Sequence, residues 1–279
     1  MRKNILVVND DGIEAVGIHK LAEALSDEGD VYVCSPHKQQ SGSGHGITIG
    51  QPVYASDIFF KEARQAVLLE GTPVDCVKIG LEIYRERGLE MDMVFSGFNH
   101  GMNLGTDTLY SGTVSAAVEG ALCGLPSAAM SISSNRSFHR TPANFEAAMK
   151  MAKHVAGSKL FQKRIGGNPN SFDINYIYEE HIILSINVPD MPPEDIKGVK
   201  VCPLSYRTYL GWCQEKSDED GRMGYYYSGK PLVLGKAGVD DSDIIANQCG
   251  FATITPLHVD LTNHGKIEAL RSEWEGYLV

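Results

Sequence analysis

Short apolar runs alternate along this chain with stretches in which apolar residues recur every three to four positions. The first run, Ile5-Leu6-Val7-Val8, is continuous rather than alternating, which predicts a strand buried on both faces. It runs straight into Asn9-Asp10-Asp11-Gly12. From Ile13 to Glu28 the spacing turns helical, with Ile18, Leu21, Ala22 and Leu25 on one face and Gly29 as C-cap. Val31 to Cys34 is a second strand, stopped by Ser35-Pro36. A right-handed β-α-β crossover makes these two strands parallel.

The alternation continues. His37 to Gly46 is a polar Gly/Ser loop at the end of strand two. Its Gly-x-Gly is not followed by a helix, so a dinucleotide fingerprint is excluded. Pro52 to Leu69 has β character with some helical ambiguity. Thr72 is an N-cap, with Pro73 at the first helical position and Asp75 complementing the dipole, and the helix runs to about Arg87. Met91 to Phe95 is a strand, and Ser96 to Gly105 a glycine-rich loop after it. A helix of small residues opens at Tyr110-Ser111-Gly112-Thr113. Pro126–Ser133, His181–Val188, Lys197–Leu204 and Gly250–Leu257 are predicted strands, and Pro142–Ala156 a helix. Gly166 to Asn175 has the composition of a surface insertion. Two β-like arms flank the charged tip at 216–222, which predicts a long hairpin. Lys266 to Leu278 is an amphipathic helix with Ile267, Leu270 and Trp274 on one face.

The expected architecture is therefore α/β, a three-layer α/β/α Rossmann-like and mostly parallel sheet. Residues 1–204 form an α/β core. Residues 205–279 add the hairpin extension, a returning strand and a terminal helix, within the same structural unit.

Charge narrows the partners. A formal net charge of -10 offers no basic excess for a nucleic-acid polymer. An acidic chain that binds anions does so locally, through a metal, peptide N–H groups or a helix start. The six cysteines, at 34, 76, 123, 202, 213 and 249, have no Cys-x-x-Cys spacing. Cys34, Cys76 and Cys123 lie in apolar contexts and are expected to be reduced, buried thiols of a cytoplasmic protein. The N-terminus does not resemble a signal peptide, and no run is long enough to span a membrane.

Three loops that follow three early strands carry Asp10, Asp11, Ser41, Asn99 and Asn103, all oxygen donors. In open α/β sheets the carboxyl ends of the strands are where ligands bind. Adjacent carboxylates repel unless a cation sits between them, and oxygen donors suit Mg²⁺, Mn²⁺ or Ca²⁺. Taken singly, each has a bland alternative: a turn at Asp10-Asp11-Gly12, a loop hydroxyl at Ser41, an Asx-turn at Asn99. The Ser111–Thr113 helix start suits a phosphate, but by itself it is more simply an ordinary N-cap.

These segments together resemble the SurE nucleotidases. The matching pieces are Asn9-Asp10-Asp11-Gly12 with Gly17-Ile18, Gln40-Ser41-Gly42, and Gly71-Thr72-Pro73 with Asp75-Cys76-Val77. Further along come Ser96-Gly97, Asn99, Gly101, Asn103-Leu104-Gly105, the run from Tyr110 to Gly120, and Thr255-Pro256-Leu257 with Val259-Asp260 and Thr262. The resemblance implies one divalent cation per subunit on Asp10, Asp11, Ser41 and Asn99, and phosphate contacts from Asn103, Ser111, Gly112 and Thr113. It implies a phosphatase of nucleoside 5′- and 3′-monophosphates, with short polyphosphate hydrolysis in some members. It also implies a homodimer or homotetramer that exchanges the hairpin and the C-terminal helix. Two departures stand out: His100 fills a variable position beside Asn99, and the stretch 166–178 is longer than usual.

The expected chemistry is metal-assisted hydrolysis, with a carboxylate of the Asp10/Asp11 pair as base. An aspartyl-phosphate route through Asp10 ranks lower, because such enzymes carry Asp-x-Asp rather than an adjacent pair. A non-catalytic nucleotide or metal sensor would use the same residues without turnover. His45, His139, His181, His258 and the Tyr225–Tyr227 run are left outside the site.

Overall fold

The computed structural model describes residues 2–133, 144–159, 161, 182–211, 213–234 and 241–275. The chain opens with β1 (Lys3–Val8), α1 (Val16–Leu25) and β2 (Gly29–Pro36). β3 (Ala55–Ile58), β4 (Gln65–Leu69), α2 (Pro73–Glu86) and β5 (Met93–His100) follow. A 3-10 turn at Gly105–Tyr110 leads into α3 (Gly112–Leu122), then β6 (Ser127–Ser133), α4 (Glu146–Gly157), β7 (Ile183–Pro189) and β8 (Val199–Val201). The last part holds β9 (Tyr206–Leu210), β10 (Cys213–Ser217), β11 (Met223–Tyr227), β12 (Lys230–Leu234), α5 (Asp243–Gln248), β13 (Ala252–Leu257) and α6 (His264–Trp274).

Nine strands form one sheet in the order β3-β4-β2-β1-β5-β6-β7-β13-β8. Its centre is parallel, and β3 and β13 run antiparallel to β4 and β7. From β1 the chain builds outward through β2 and β4, then returns to β5 on the other side of β1. The order reverses between β1 and β5, which is where a doubly wound sheet opens a crevice at its carboxyl ends.

Both faces of β1 are covered, as its continuous apolar run requires. Ile5 and Val7 pack with α1 and α4 through Ile18, Leu21, Leu25, Ala148 and Ala152. Leu6 and Val8 pack the other way, against Cys76, Val77 and Tyr84 of α2 and Ala116 of α3. That is the three-layer α/β/α arrangement expected. The capping box of α2 is present in full: Thr72 Oγ1 accepts from Asp75 N at 3.1 Å, and Asp75 Oδ2 accepts from Thr72 N at 2.9 Å.

Several boundaries differ from expectation. Ser96 to His100 is strand, not loop, because β5 keeps pairing with β6 through Asn99↔Ser131 and His100↔Ile132 after a register shift. The Gly97–Phe98 peptide bond is cis. α1 begins at Val16, since a turn closed by Ala15 N to Gly12 O occupies the preceding residues. α4 starts only at Glu146, and β8 holds three residues. The pattern did not foretell α5, whose six residues are too short to show a period. Cys34 and Cys76 are buried as expected, but Cys123 is exposed, because it lies past the end of α3 as its C-cap. The 166–178 stretch, His139, His181 and Trp212 lie outside the described residues.

The hairpin is an antiparallel arm in two pieces, β9 with β12 and β10 with β11. Tyr225, Tyr226 and Tyr227 are exposed on it. α6 buries no residue against its own chain, although Leu270 and Trp274 lie on it.

One contact ties the helix layer to the crevice. A Cβ added at Gly17 of α1 would stand 2.0 Å from the carbonyl oxygen of Phe98 in β5. Gly17→Ala is expected to lower unfolding stability by about 2 kcal/mol or more in urea titrations, since backbone must shift to make room. A wild-type midpoint would contradict this reading of the contact.

Candidate metal and phosphate site

The turn after β1 is shaped by Asn9, which is fully buried. Its Nδ2 donates to Gly12 O at 2.7 Å, and its Oδ1 accepts from Ser35 Oγ of β2 at 2.6 Å. Gly12 adopts φ +94°, open to glycine, and so lets the chain reverse beside the Lys38 backbone. Gln40 N donates to Asp10 O at 2.7 Å and draws the 37–50 loop over the strand end.

Asp10 is 4% exposed. Thr113 Oγ1, in the first turn of α3, donates to Asp10 Oδ1 at 2.5 Å. Burial raises the Asp10 carboxyl, the Thr113 hydrogen bond pulls it down, and the Asp11 charge raises it again, to about 6. Asp11 is half-buried. Its carboxylate accepts from His100 N and from Gln39 Nε2, both at 3.3 Å. Burial still leaves its pKa above the ordinary value against these bonds.

Gln39 Nε2 also donates to Ser41 Oγ at 3.0 Å, so one side chain bridges Asp11 and Ser41. Asn99 is half-buried and commits its Nδ2 to Gly101 O at 2.9 Å. A hard cation would take its oxygen. Ser111 caps α3, its Oγ accepting from Val114 N at 3.1 Å. Gly112 packs so tightly on Asp10 that an added Cβ would be 2.9 Å from Asp10 Cβ.

The structure thus brings Asp10, Asp11, Ser41, Gly112 and Thr113 together, with Asn99 next to the residue whose N–H meets Asp11. Asn103 is held separately. Its N donates to Asn187 Oδ1 at 2.8 Å, Asn187 Nδ2 donates to its carbonyl at 3.0 Å, and its Nδ2 donates to Ser131 Oγ at 2.9 Å. Among the described residues no hydrogen bond joins Asn103 or Ser111 to the carboxylate pair. Gln39, Asn187 and Ser131 were not foreseen. The signal for Asn187 was present: it and Ser185 are polar residues inside an otherwise apolar strand.

The loop carrying Ser41 is pinned downstream. His45 Nε2 lies 2.8 Å from Glu119 Oε2, and Lys78 Nζ lies 2.7 Å from Glu119 Oε1. Burial raises the Glu119 carboxyl, but the bonds from His45 and Lys78 outweigh it and hold the group below its ordinary value. Thr48 donates twice to Asp75, and Thr72 Oγ1 donates to Gly46 O.

Two carboxylates, a hydroxyl and an amide suit a hard divalent cation better than zinc, which favours His and Cys. The raised pKa values of both aspartates mark negative charge that a cation would relieve.

The family model "Survival protein SurE" matches residues 5–211. The chain belongs to the SurE family. A 5′-nucleotidase SurE from Syntrophomonas wolfei is 36% identical over 273 residues, covering 98% of this chain and 95% of that protein. One from Fervidobacterium nodosum is 39% identical over 278 residues, covering 98% and 96%. The crystal structure of the SurE protein from Aquifex aeolicus superposes with a TM-score of 0.72 at 31% identity, covering 97% of this chain and 99% of that one. The SurE-like fold expected from the motifs is the fold observed.

The Asp10 environment makes a stability prediction for the metal-free SurE chain. Well below the ordinary value of 3.8 folded and unfolded chains both hold the proton. Between the ordinary value of 3.8 and about 6 the unfolded chain gives it up first, so stability falls as pH rises. Above that the loss is complete, on the order of 3 kcal/mol. Asp10→Asn, measured after chelation, is expected to raise Tm at pH 8 and to converge with wild type well below pH 3.8. A gap that does not change with pH would contradict the assigned burial.

Proposed function

We propose that this chain is a divalent-metal-dependent phosphoric monoester hydrolase. It removes phosphate from nucleoside 5′- and 3′-monophosphates, using Mg²⁺ or Mn²⁺, and also cleaves short polyphosphate. The observation that carries this reading is the meeting of the Asp10–Asp11 carboxylate pair with the first turn of α3 at Asp10, Gly112 and Thr113. Membership of the SurE family and the name 5′-nucleotidase borne by relatives at 36–39% identity support it.

Asp10, Asp11, Ser41 and Asn99 would hold the cation. When bound, it would supply Lewis acidity to a phosphoryl oxygen and lower the pKa of a water. The start of α3 presents its positive dipole end to the phosphoryl charge. Asn103, held by Asn187 and Ser131, would donate to a phosphoryl oxygen. A carboxylate of the aspartate pair accepts the proton of the attacking water. Thr113 Oγ1 donates to Asp10 Oδ1, and Asp10 Oδ2 accepts no side-chain hydrogen bond among the described residues.

The chain also acts as a homodimer or homotetramer. No described residue of α6 is buried, and the arm tyrosines are exposed. A groove of about 1200 Å³ beside α3, lined by Val114, Val118, Leu122, Val201, Leu257 and Leu261, offers apolar surface for a second copy's arm or terminal helix.

With AMP and Mg²⁺ or Mn²⁺, phosphate release is expected; EDTA should abolish it and added Mn²⁺ restore it. Asp11→Asn should lower kcat by on the order of 100-fold. Release that persists in EDTA would rule out metal dependence, and binding of AMP without any release would leave a sensor. Analytical ultracentrifugation should give two or four times the 30.4 kDa chain mass, and a monomer would refute the assembly.

A further inference from the structure

Ser43 lies two residues beyond Ser41 in the loop that crosses the end of β1. Its hydroxyl oxygen is buried and has no hydrogen-bond partner among the described residues. The oxygen is 2.9 Å from the point that a Cβ on Gly112 would occupy. The same point is 3.1 Å from Asp10 Oδ2. The Ser43 hydroxyl, the first residue of α3 and Oδ2 of Asp10 therefore converge at a point where only a glycine at 112 fits.

Ser43 is held in that position from both sides. Its own N donates to Gln40 O at 3.2 Å, and Gly44 N donates to Tyr110 O at 3.2 Å, one residue before the cap of α3. His45 is anchored on Glu119, and Gly46 O accepts from Thr72. The loop cannot easily carry the hydroxyl elsewhere to find a partner. A buried hydroxyl left unpaired is costly, and folded proteins keep few of them. A phosphoryl oxygen accepts hydrogen bonds, and a serine hydroxyl donates one.

We propose that Ser43 Oγ donates a hydrogen bond to a phosphoryl oxygen of the bound monoester, beside Gly112 at the start of α3. Ser43 is then a substrate-binding residue, and Gly112 is required because a side chain there would collide with Asp10 and with the Ser43 hydroxyl. This inference rests on the phosphatase reading above.

The test uses the full-length protein loaded with Mn²⁺, with inorganic phosphate as the probe in calorimetry and AMP as the substrate. Ser43→Ala is expected to weaken phosphate binding and to raise the KM for AMP, each by about tenfold. Mn²⁺ affinity measured without phosphate should stay within about twofold of wild type. Ser43→Thr, which keeps the hydroxyl, should retain phosphate binding within about threefold. Thermal unfolding of both variants checks that they fold, and the Ser43→Thr variant keeps the test decisive if Ser43→Ala does not. Unchanged phosphate affinity in Ser43→Ala overturns the proposal. So does a loss of Mn²⁺ affinity in step with that of phosphate, which would assign the hydroxyl to Asp10. Loss of phosphate binding in Ser43→Thr equal to that in Ser43→Ala also counts against it. If wild type neither binds phosphate nor releases it from AMP, the phosphatase reading fails as well. If wild type does both and Ser43→Ala matches it, only the role of Ser43 fails.

Discussion

A carboxylate buried against the first turn of a helix is the constraint on which this site depends. Asp10 leaves the central strand with almost no exposure and meets Thr113 at 2.5 Å. Burying that charge is unfavourable, and the Asp11 charge beside it makes matters worse. The Thr113 hydroxyl and main-chain N–H groups compensate only in part, as the raised pKa shows. The neighbouring residues serve this arrangement. Asn9 fixes the turn by bonding both Gly12 and Ser35, and Gly112 permits the close approach of α3.

Sheet order puts the second half of the site within reach. Because the order reverses between β1 and β5, the ends of these two adjacent strands carry Asp10, Asp11 and Asn99. Extension of β5 to His100 brings a main-chain N–H to Asp11 and sets Asn99 beside it. Helix α1 reinforces the junction by placing Gly17 against the Phe98 carbonyl. The spacing between the two strand ends is therefore a property of the packed core.

Much of this was legible in the chain. Continuous apolar runs revealed the buried strands, and Thr72, Pro73 and Asp75 marked a helix start that the structure reproduces. What stayed hidden is tertiary. Local pattern made Ser96 to His100 look like a loop, because its polar residues are paid for by pairing with β6, which no local window can see. Asn187 bonds a residue 84 positions away, so its role depended on knowing that β7 passes near Asn103. The six-residue α5 is shorter than two helical turns. Cys123 looked apolar by its neighbours, but a helix terminus decides its exposure.

The pinned loop from Gln39 to Thr48 has a consequence for how tightly a ligand is held. A Gly/Ser-rich segment would ordinarily lose conformational entropy when it closes on a ligand. Here Glu119 and Asp75 already restrain it through His45 and Thr48, so that ordering is completed when the protein folds. A ligand entering here would meet a loop whose ordering cost is already met on folding.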